Sequence, residues 1–189
     1  MNANAFTSIL KSNLPEYSII PITKQSCEQV MGVFDSNQNF FLLTEGVPAT
    51  LSGCQANVNA TPPGFDIQSK LYIGFWINNR CIAVLDMLIG YPSPDCIYIG
   101  LFLVHGELQG TGLGHKIIDV LITASKDTGF NNAKLAVIEN NKKAVTFWEK
   151  LGFEKTGKSS TTMCSGAKVN VITMQLDIQY EKGGIVKGI

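Results

Sequence analysis

The chain has 189 residues, with fifteen Lys and Arg against fifteen Asp and Glu, so its formal net charge is zero. With 45% hydrophobic and 16% charged residues it can bury a core, which excludes intrinsic disorder for most of its length, and its size fits one domain, 1–189. A neutral balance without a basic stripe argues against a nucleic-acid partner and against an anionic membrane surface.

Five cysteines (Cys27, Cys54, Cys81, Cys96 and Cys164) form no C-x-x-C pair and are odd in number. They predict free thiols in a reducing compartment and not a disulfide frame or a zinc site. The first fifteen residues lack the charged start and apolar centre of a secretory signal. The longest apolar stretch, residues 97–104, is far shorter than the ~20 residues a membrane span needs. The expectation is a cytoplasmic, metal-free protein, monomeric or homodimeric.

In chain order, residues 17–23 alternate and end on a capping Thr23, a strand leading into a helix. Cys27, Val30, Met31 and Phe34 recur as one helical face, residues 35–39 break it, and residues 40–43 begin a second short helix. Residues 45–66, dense in Gly and Pro, read as a long surface loop. Residues 71–77, 81–89 and 96–104 are strands joined by short turns, an antiparallel meander. The period then changes: Ile117, Val120, Leu121 and Ala124 form a helical stripe closed by Gly129, and residues 134–138 are a strand, reached by a right-handed parallel crossover. Asn141 caps a last helix bearing Ala144, Phe147, Trp148 and Leu151. Residues 153–158 and 168–178 form a closing hairpin around a Gly/Ser/Thr loop, and the Gly-rich tail from about residue 181 is loose. The fold class is α/β, a mostly antiparallel sheet with one parallel junction, and a sheet opens a ligand crevice where its connection pattern changes.

At that junction lies Gln109-Gly110-Thr111-Gly112-Leu113-Gly114-His115-Lys116, directly after a strand and opening a helix. Alternating glycines let backbone N–H groups approach a ligand, and a helix N-terminus favours phosphate. Lys116 or His115 can add a charged contact. The spacing fits neither a P-loop nor a dinucleotide fingerprint, and the meander disfavours a nucleotide-binding oxidoreductase.

Gln109-x-x-Gly112-x-Gly114 resembles the [RQ]-x-x-G-x-[GA] loop of the GNAT superfamily of N-acetyltransferases. Residues 141–153, with Asn141, Ala144, Phe147, Lys150, Gly152 and Phe153, resemble the family's second signature at the family's separation. The resemblance implies a twisted sheet with helices on both faces and a splayed parallel strand pair. It implies acetyl-CoA as acyl-donor cosubstrate, its pyrophosphate on Gly110, Thr111, Gly112, Leu113, Gly114 and His115. The pantetheine arm would pair near Phe102, Leu103 and Val104, with Asn141, Phe147 and Trp148 beside it. Ala144 and Leu151 read first as core, since a helical apolar stripe is usually core.

Direct transfer to an amine needs a base for the ammonium, donors for the oxyanion and an acid for the thiolate. Where the family commonly has Tyr in its second signature, this chain has Trp148, whose indole is a donor but not a usable acid. Asp86, costly to bury amid apolar neighbours, Tyr98, which can reach it from the next strand, and Glu107 past the third strand are the candidate catalytic residues; His105, Glu139 and Tyr91 are further possibilities. The bland reading of Asp86 is a salt-bridged structural carboxylate. The expected acceptor is a small-molecule primary amine, bound by residues 33–43 and 45–66, whose side chains are mostly uncharged. The alternative is a catalytically silent acyl-CoA-binding module.

Overall fold

The computed structural model describes residues 3–162 and 166–178; the expected loose tail and Cys164 lie outside them. Among the described residues, β1 (Ser18–Pro21), β2 (Lys70–Ile77), β3 (Arg80–Ile89), β4 (Cys96–Val104), β5 (Asn132–Ile138), β6 (Glu154–Thr162) and β7 (Lys168–Asp177) form one sheet. Its order is β1-β2-β3-β4-β5-β7-β6. Every neighbouring pair is antiparallel except β4–β5. The mixed α/β class with one parallel junction is as the sequence indicates.

The helices are α1 (Ala3–Asn13), α2 (Cys27–Asp35), α3 (Gln38–Thr44), α4 (Leu51–Val58), α5 (Leu113–Asp127) and α6 (Lys142–Lys150). Two apolar clusters divide them between the sheet faces. Phe6, Leu10 and Leu14 at the α1 end and Ile117, Ile118 and Leu121 of α5 pack with Leu85, Met87 and Ile99. Cys27, Val30 and Val33 of α2 and Cys54 of α4 pack with Tyr72, Val84 and Leu103. Alternate residues of one strand thus feed opposite clusters, the consequence of a period of two. No helix of the described residues is long and apolar enough to cross a membrane.

The structure corrects several details. The 45–66 segment is not all loop: it contains α4, started by the Thr50 hydroxyl accepting from the Gly53 N–H at 3.0 Å. Residues 3–13, for which the sequence pattern suggests no element, are helical. The β2–β3 turn uses Asn78 and Asn79 at φ +47° and +63°, the conformation of a two-residue hairpin turn, while Arg80 already belongs to β3. The strand expected over residues 153–158 begins at Glu154 and runs on to Thr162, so residues 159–162 of the Gly/Ser/Thr stretch are strand.

Candidate active site

The β4–β5 pairing covers Cys96↔Asn132 to Ile99↔Leu135 and then stops. Beyond that point β4 remains paired with β3 as far as Val104, and β5 with β7 as far as Ile138. The two strands therefore splay, as expected, and leave unpaired edges on both sides of a cleft of about 1600 Å³. Such a volume exceeds the ~300–1,000 Å³ of a typical single-ligand pocket, leaving room for two substrates. Near its closed end the register of β4 slips, with Leu101 opposite Asp86, Ile99 opposite Met87, and Gly100 bulged between them.

The glycine loop sits at the mouth. Gly110 and Gly112 have φ +79° and +92°, a region L side chains adopt only with strain, and a Cβ on either would meet nothing within 4 Å. The loop is thus open above its backbone, and Gly112 is the N-cap of the fifteen-residue α5. Free N–H groups there, with the helix dipole behind them, suit an anion such as a pyrophosphate. Gly114 serves closeness: a Cβ there would stand 3.2 Å from the Phe147 ring, which is how α5 and α6 approach each other. His115 lies on the same ring, with centroids 5.0 Å apart.

Of the residues expected around a cofactor, Phe102, Leu103, Val104, Gln109, Gly110 and Gly112 line the cleft, as do Gly114, His115, Asn141, Phe147 and Trp148. Thr111 and Leu113 do not: the Thr111 hydroxyl donates to the Leu108 carbonyl at 2.7 Å, and Leu113 packs on the core. Lys116 is turned to an ion pair with Glu16 on the far side of the loop. The Asn141 side chain accepts from the Ala144 N–H at 3.1 Å and so caps α6 while bordering the cleft. Trp148 is 7% exposed, in the core and at the cleft floor together, with Phe102, Phe147 and Phe153 around it.

The edge of β4 is partly occupied. His105 N–H donates to Ile82 at 2.8 Å, and by antiparallel alternation Val104 and Phe102 aim their backbone groups at the cleft. The Val104 carbonyl already accepts from Asn37 Nδ2 at 3.0 Å and Gln109 Nε2 at 3.2 Å. Among the described residues the Phe102 carbonyl has no partner, so an extended arm laid along this edge finds an acceptor there.

The three candidate catalytic residues are dispersed. Tyr98 lines the closed end of the cleft, opposite Leu88, with its ring on Tyr91 at 5.6 Å. Burial, then Tyr91, pushes its phenol up. Among the described residues no hydrogen bond joins it to Asp86, so the expected Tyr98–Asp86 contact is not made; the bulge shifts their registers apart. Asp86 is 6% exposed and pairs with Lys70 at 2.8 Å; Asn57 donates to the same oxygen at 2.9 Å. Its other oxygen, Oδ1, is buried without a partner. Burial holds the Asp86 carboxyl above the usual value, against the opposing pull of Lys70. It lies directly beneath the cleft, since a Cβ on Gly100 would stand 3.8 Å from its Cγ. Glu107 is surface-exposed, bound by Arg80, whose hydrogen bond holds its carboxyl low, and it does not line the cleft. Glu139 is likewise held low, by Lys158.

Sequence reasoning misses Lys70, Asn57, Ser36 and Asn37. The first two come from β2 and α4 to meet Asp86, and residues 35–39 stand out in the sequence merely as a helix break. Across the cleft mouth, α3 presents Phe40, Leu43 and Thr44 towards Ser160, Val171 and Thr173 of the β6–β7 hairpin.

Comparison with solved structures gives the same architecture repeatedly. An acetyltransferase from Thermus thermophilus aligns at TM-score 0.64 and 19% identity, over 85% of this chain and 96% of that one. The yncA protein of Salmonella typhimurium, solved with its cofactor acetyl-CoA, aligns at 0.60 and 16%, over 89% and 97%. The ribosomal-protein-S18-alanine N-acetyltransferase of Escherichia coli aligns at 0.58 and 16%, over 92% and 99%. Among curated sequences, Protein SPT10 of Saccharomyces cerevisiae is 27% identical over 81 residues, a stretch that spans 42% of this chain and 13% of that protein. The Acetyltransferase (GNAT) family matches residues 52–153, more than half of the chain and the whole span from α4 through the glycine loop to Phe153. The protein belongs to the GNAT family of acetyltransferases.

Proposed function

We propose that this protein is an N-acetyltransferase that moves the acetyl group of acetyl-CoA directly to a primary amine of a small molecule. The carrying observation is the splayed β4–β5 pair with the open glycine loop and the α5 N-terminus at its mouth. The residues present fit the cosubstrate: backbone N–H groups around Gly110 and Gly112 would hold the pyrophosphate and the Phe102 carbonyl would face the pantetheine, and the similarly folded yncA protein was solved with acetyl-CoA. Bound there, acetyl-CoA would supply the thioester carbonyl. The amine nitrogen forms its bond to that carbonyl carbon, the C–S bond breaks, the ammonium proton goes to a base and the thiolate takes a proton.

Asp86 and Tyr98 are our assignments for the two proton steps, because Tyr98 lines the closed end of the cleft and Asp86 lies buried beneath Gly100 there. Glu107, at the loop end and held by Arg80, is not. A small, mostly uncharged acceptor is supported by the lining: among the described residues there, Asp35 is the lone carboxylate, whereas a polycationic peptide would need an acidic trough. Cytoplasmic residence goes with this reading, supported by four buried cysteines that carry no disulfide. The buried Trp148 at the position of the family's usual phenol favours one second reading, a silent acyl-CoA-binding module.

Calorimetric titration of acetyl-CoA, CoA and NADH into the wild type and Gly112→Trp tests the assignment. Acetyl-CoA binds with a Kd on the order of micromolar, the variant loses it, and NADH gives no heat. Absence of binding to either CoA form overturns the proposal. Free-thiol release across an amine panel, with an N-terminal alanine peptide included, then separates the enzyme from the silent module.

A further inference from the structure

The turn between α2 and α3 is tied to the cofactor loop by side chains whose partners lie far away along the chain. Asn37 Nδ2 donates to the Val104 carbonyl at 3.0 Å and to Val33 at 2.8 Å, and Asn37 Oδ1 accepts from Gln109 Nε2 at 2.8 Å. Ser36 Oγ accepts from the Gly106 N–H at 2.9 Å. The two backbones meet so closely that a Cβ on Gly106 would stand 2.9 Å from the Ser36 carbonyl oxygen. The turn is thus bonded to three points of the segment that runs from the end of β4 into the glycine loop.

Apart from this turn, α3 is held by Phe40 and Phe41, half-buried against the α2 cluster, with Phe41 stacked on Phe34 at 5.3 Å. The helix is seven residues long, too short to be stable alone; it fully buries just Thr44 and leaves Leu42 and Leu43 49% and 42% exposed. At its first residue, the Gln38 side chain accepts from the Ala49 N–H at 3.0 Å and ties the helix to the segment that follows it. Yet α3 is the wall that carries Phe40, Leu43 and Thr44 into the cleft. The start of α3 is therefore set by the turn before it, and that turn is bonded to Gln109 and Val104.

We infer that Asn37 is a positioning residue that sets the acceptor-side wall α3 according to the state of the cofactor loop. The inference deepens the acetyltransferase reading proposed above and rests on it. A cosubstrate that orders the loop around Gln109 orders α3 through Asn37, and by reciprocity an acceptor seated against α3 favours the ordered loop.

Hydrogen–deuterium exchange with acetyl-CoA as the probe tests this. In the wild type, saturating acetyl-CoA slows exchange in residues 109–116 and also, about fivefold, in residues 38–45. In Asn37→Ala the loop is still slowed and the 38–45 segment is not. Asn37→Leu keeps the size of the side chain while removing both the acceptor for Gln109 and the donor to Val104, and it gives the same loss even where the alanine variant fails to fold. Protection of 38–45 that persists in either variant, or that is missing in a wild type whose loop is protected, overturns the inference. A wild type that gives neither heat nor protection anywhere overturns the cofactor reading itself.

Discussion

Lys70 and Asp86 place opposite charges 2.8 Å apart inside the sheet, their side chains 3% and 8% exposed. Both have lost most of their hydration, and each is tolerable because the other is there. Lys70 also donates to the Ala60 carbonyl at 2.7 Å and Asn57 supports Asp86, but the Oδ1 of Asp86 has nothing. Removing one partner strands a buried charge, so Lys70→Met or Asp86→Leu alone destabilises by about 3–5 kcal/mol. The double variant, which replaces the pair by apolar side chains, recovers to within about 1 kcal/mol of the wild type or exceeds it. Urea unfolding of the four proteins decides this; a double variant as unstable as the singles would refute the stranded-charge account. The same pairing explains why Asp86 is conspicuous in the sequence while its role is not. An acid among Val84, Leu85, Met87 and Leu88 stands out, but its cation is sixteen residues away on β2 and its amide donor on α4.

At the scale of elements, α1 shows how much a missed helix can matter. Phe6, Leu10 and Leu14 recur every four residues and are at most 1% exposed, packed in the cluster that contains α5. Phe6→Ala therefore costs about 3–5 kcal/mol and lowers the thermal midpoint by several degrees. A variant with wild-type Tm would show that α1 is dispensable. The spacing of those three residues was the available signal; the polar residues between them concealed it. α4 was hidden differently, because Gly53 and the flanking prolines are loop composition and a single residue, Cys54, is buried. Which arm of the last hairpin enters the sheet is legible in the apolar pattern of its two strands. β7 carries Val171, Ile172 and Met174 buried, whereas every residue of β6 is exposed, so β7 must be the inner strand. The glycine loop was plain from the sequence because its requirement is local: positive φ and a bare backbone are met by glycine at fixed spacing. The Asn37 latch was not, since its partners are 67 and 72 residues away along the chain.

Taken as a whole, the molecule sets the glycine loop at one end of the splay and the vertex of β4 and β5 at the other, and ionisable groups at the two ends have opposite environments. Glu107, at the loop end, is held low by the Arg80 hydrogen bond, so it is ionised throughout any working range and adds no limb to a pH profile. Asp86, beneath the vertex, is pushed above the usual value of 3.8 by burial. If it takes the ammonium proton it must first be ionised, so kcat/KM rises with pH through its raised value, and Asp86→Asn removes that limb. Tyr98, pushed above 10 by burial, stays protonated at neutral pH and can give its proton to the departing thiolate. Tyr98→Phe accordingly lowers kcat by about 10²-fold with the Kd for acetyl-CoA unchanged, while Glu107→Gln leaves kcat and the pH profile within about twofold. These profiles are measured on the acceptor that the amine panel yields. A Glu107→Gln variant that is inactive, beside a Tyr98→Phe variant that turns over normally, would place the chemistry at the loop end and reverse the direction in which the two substrates enter the cleft.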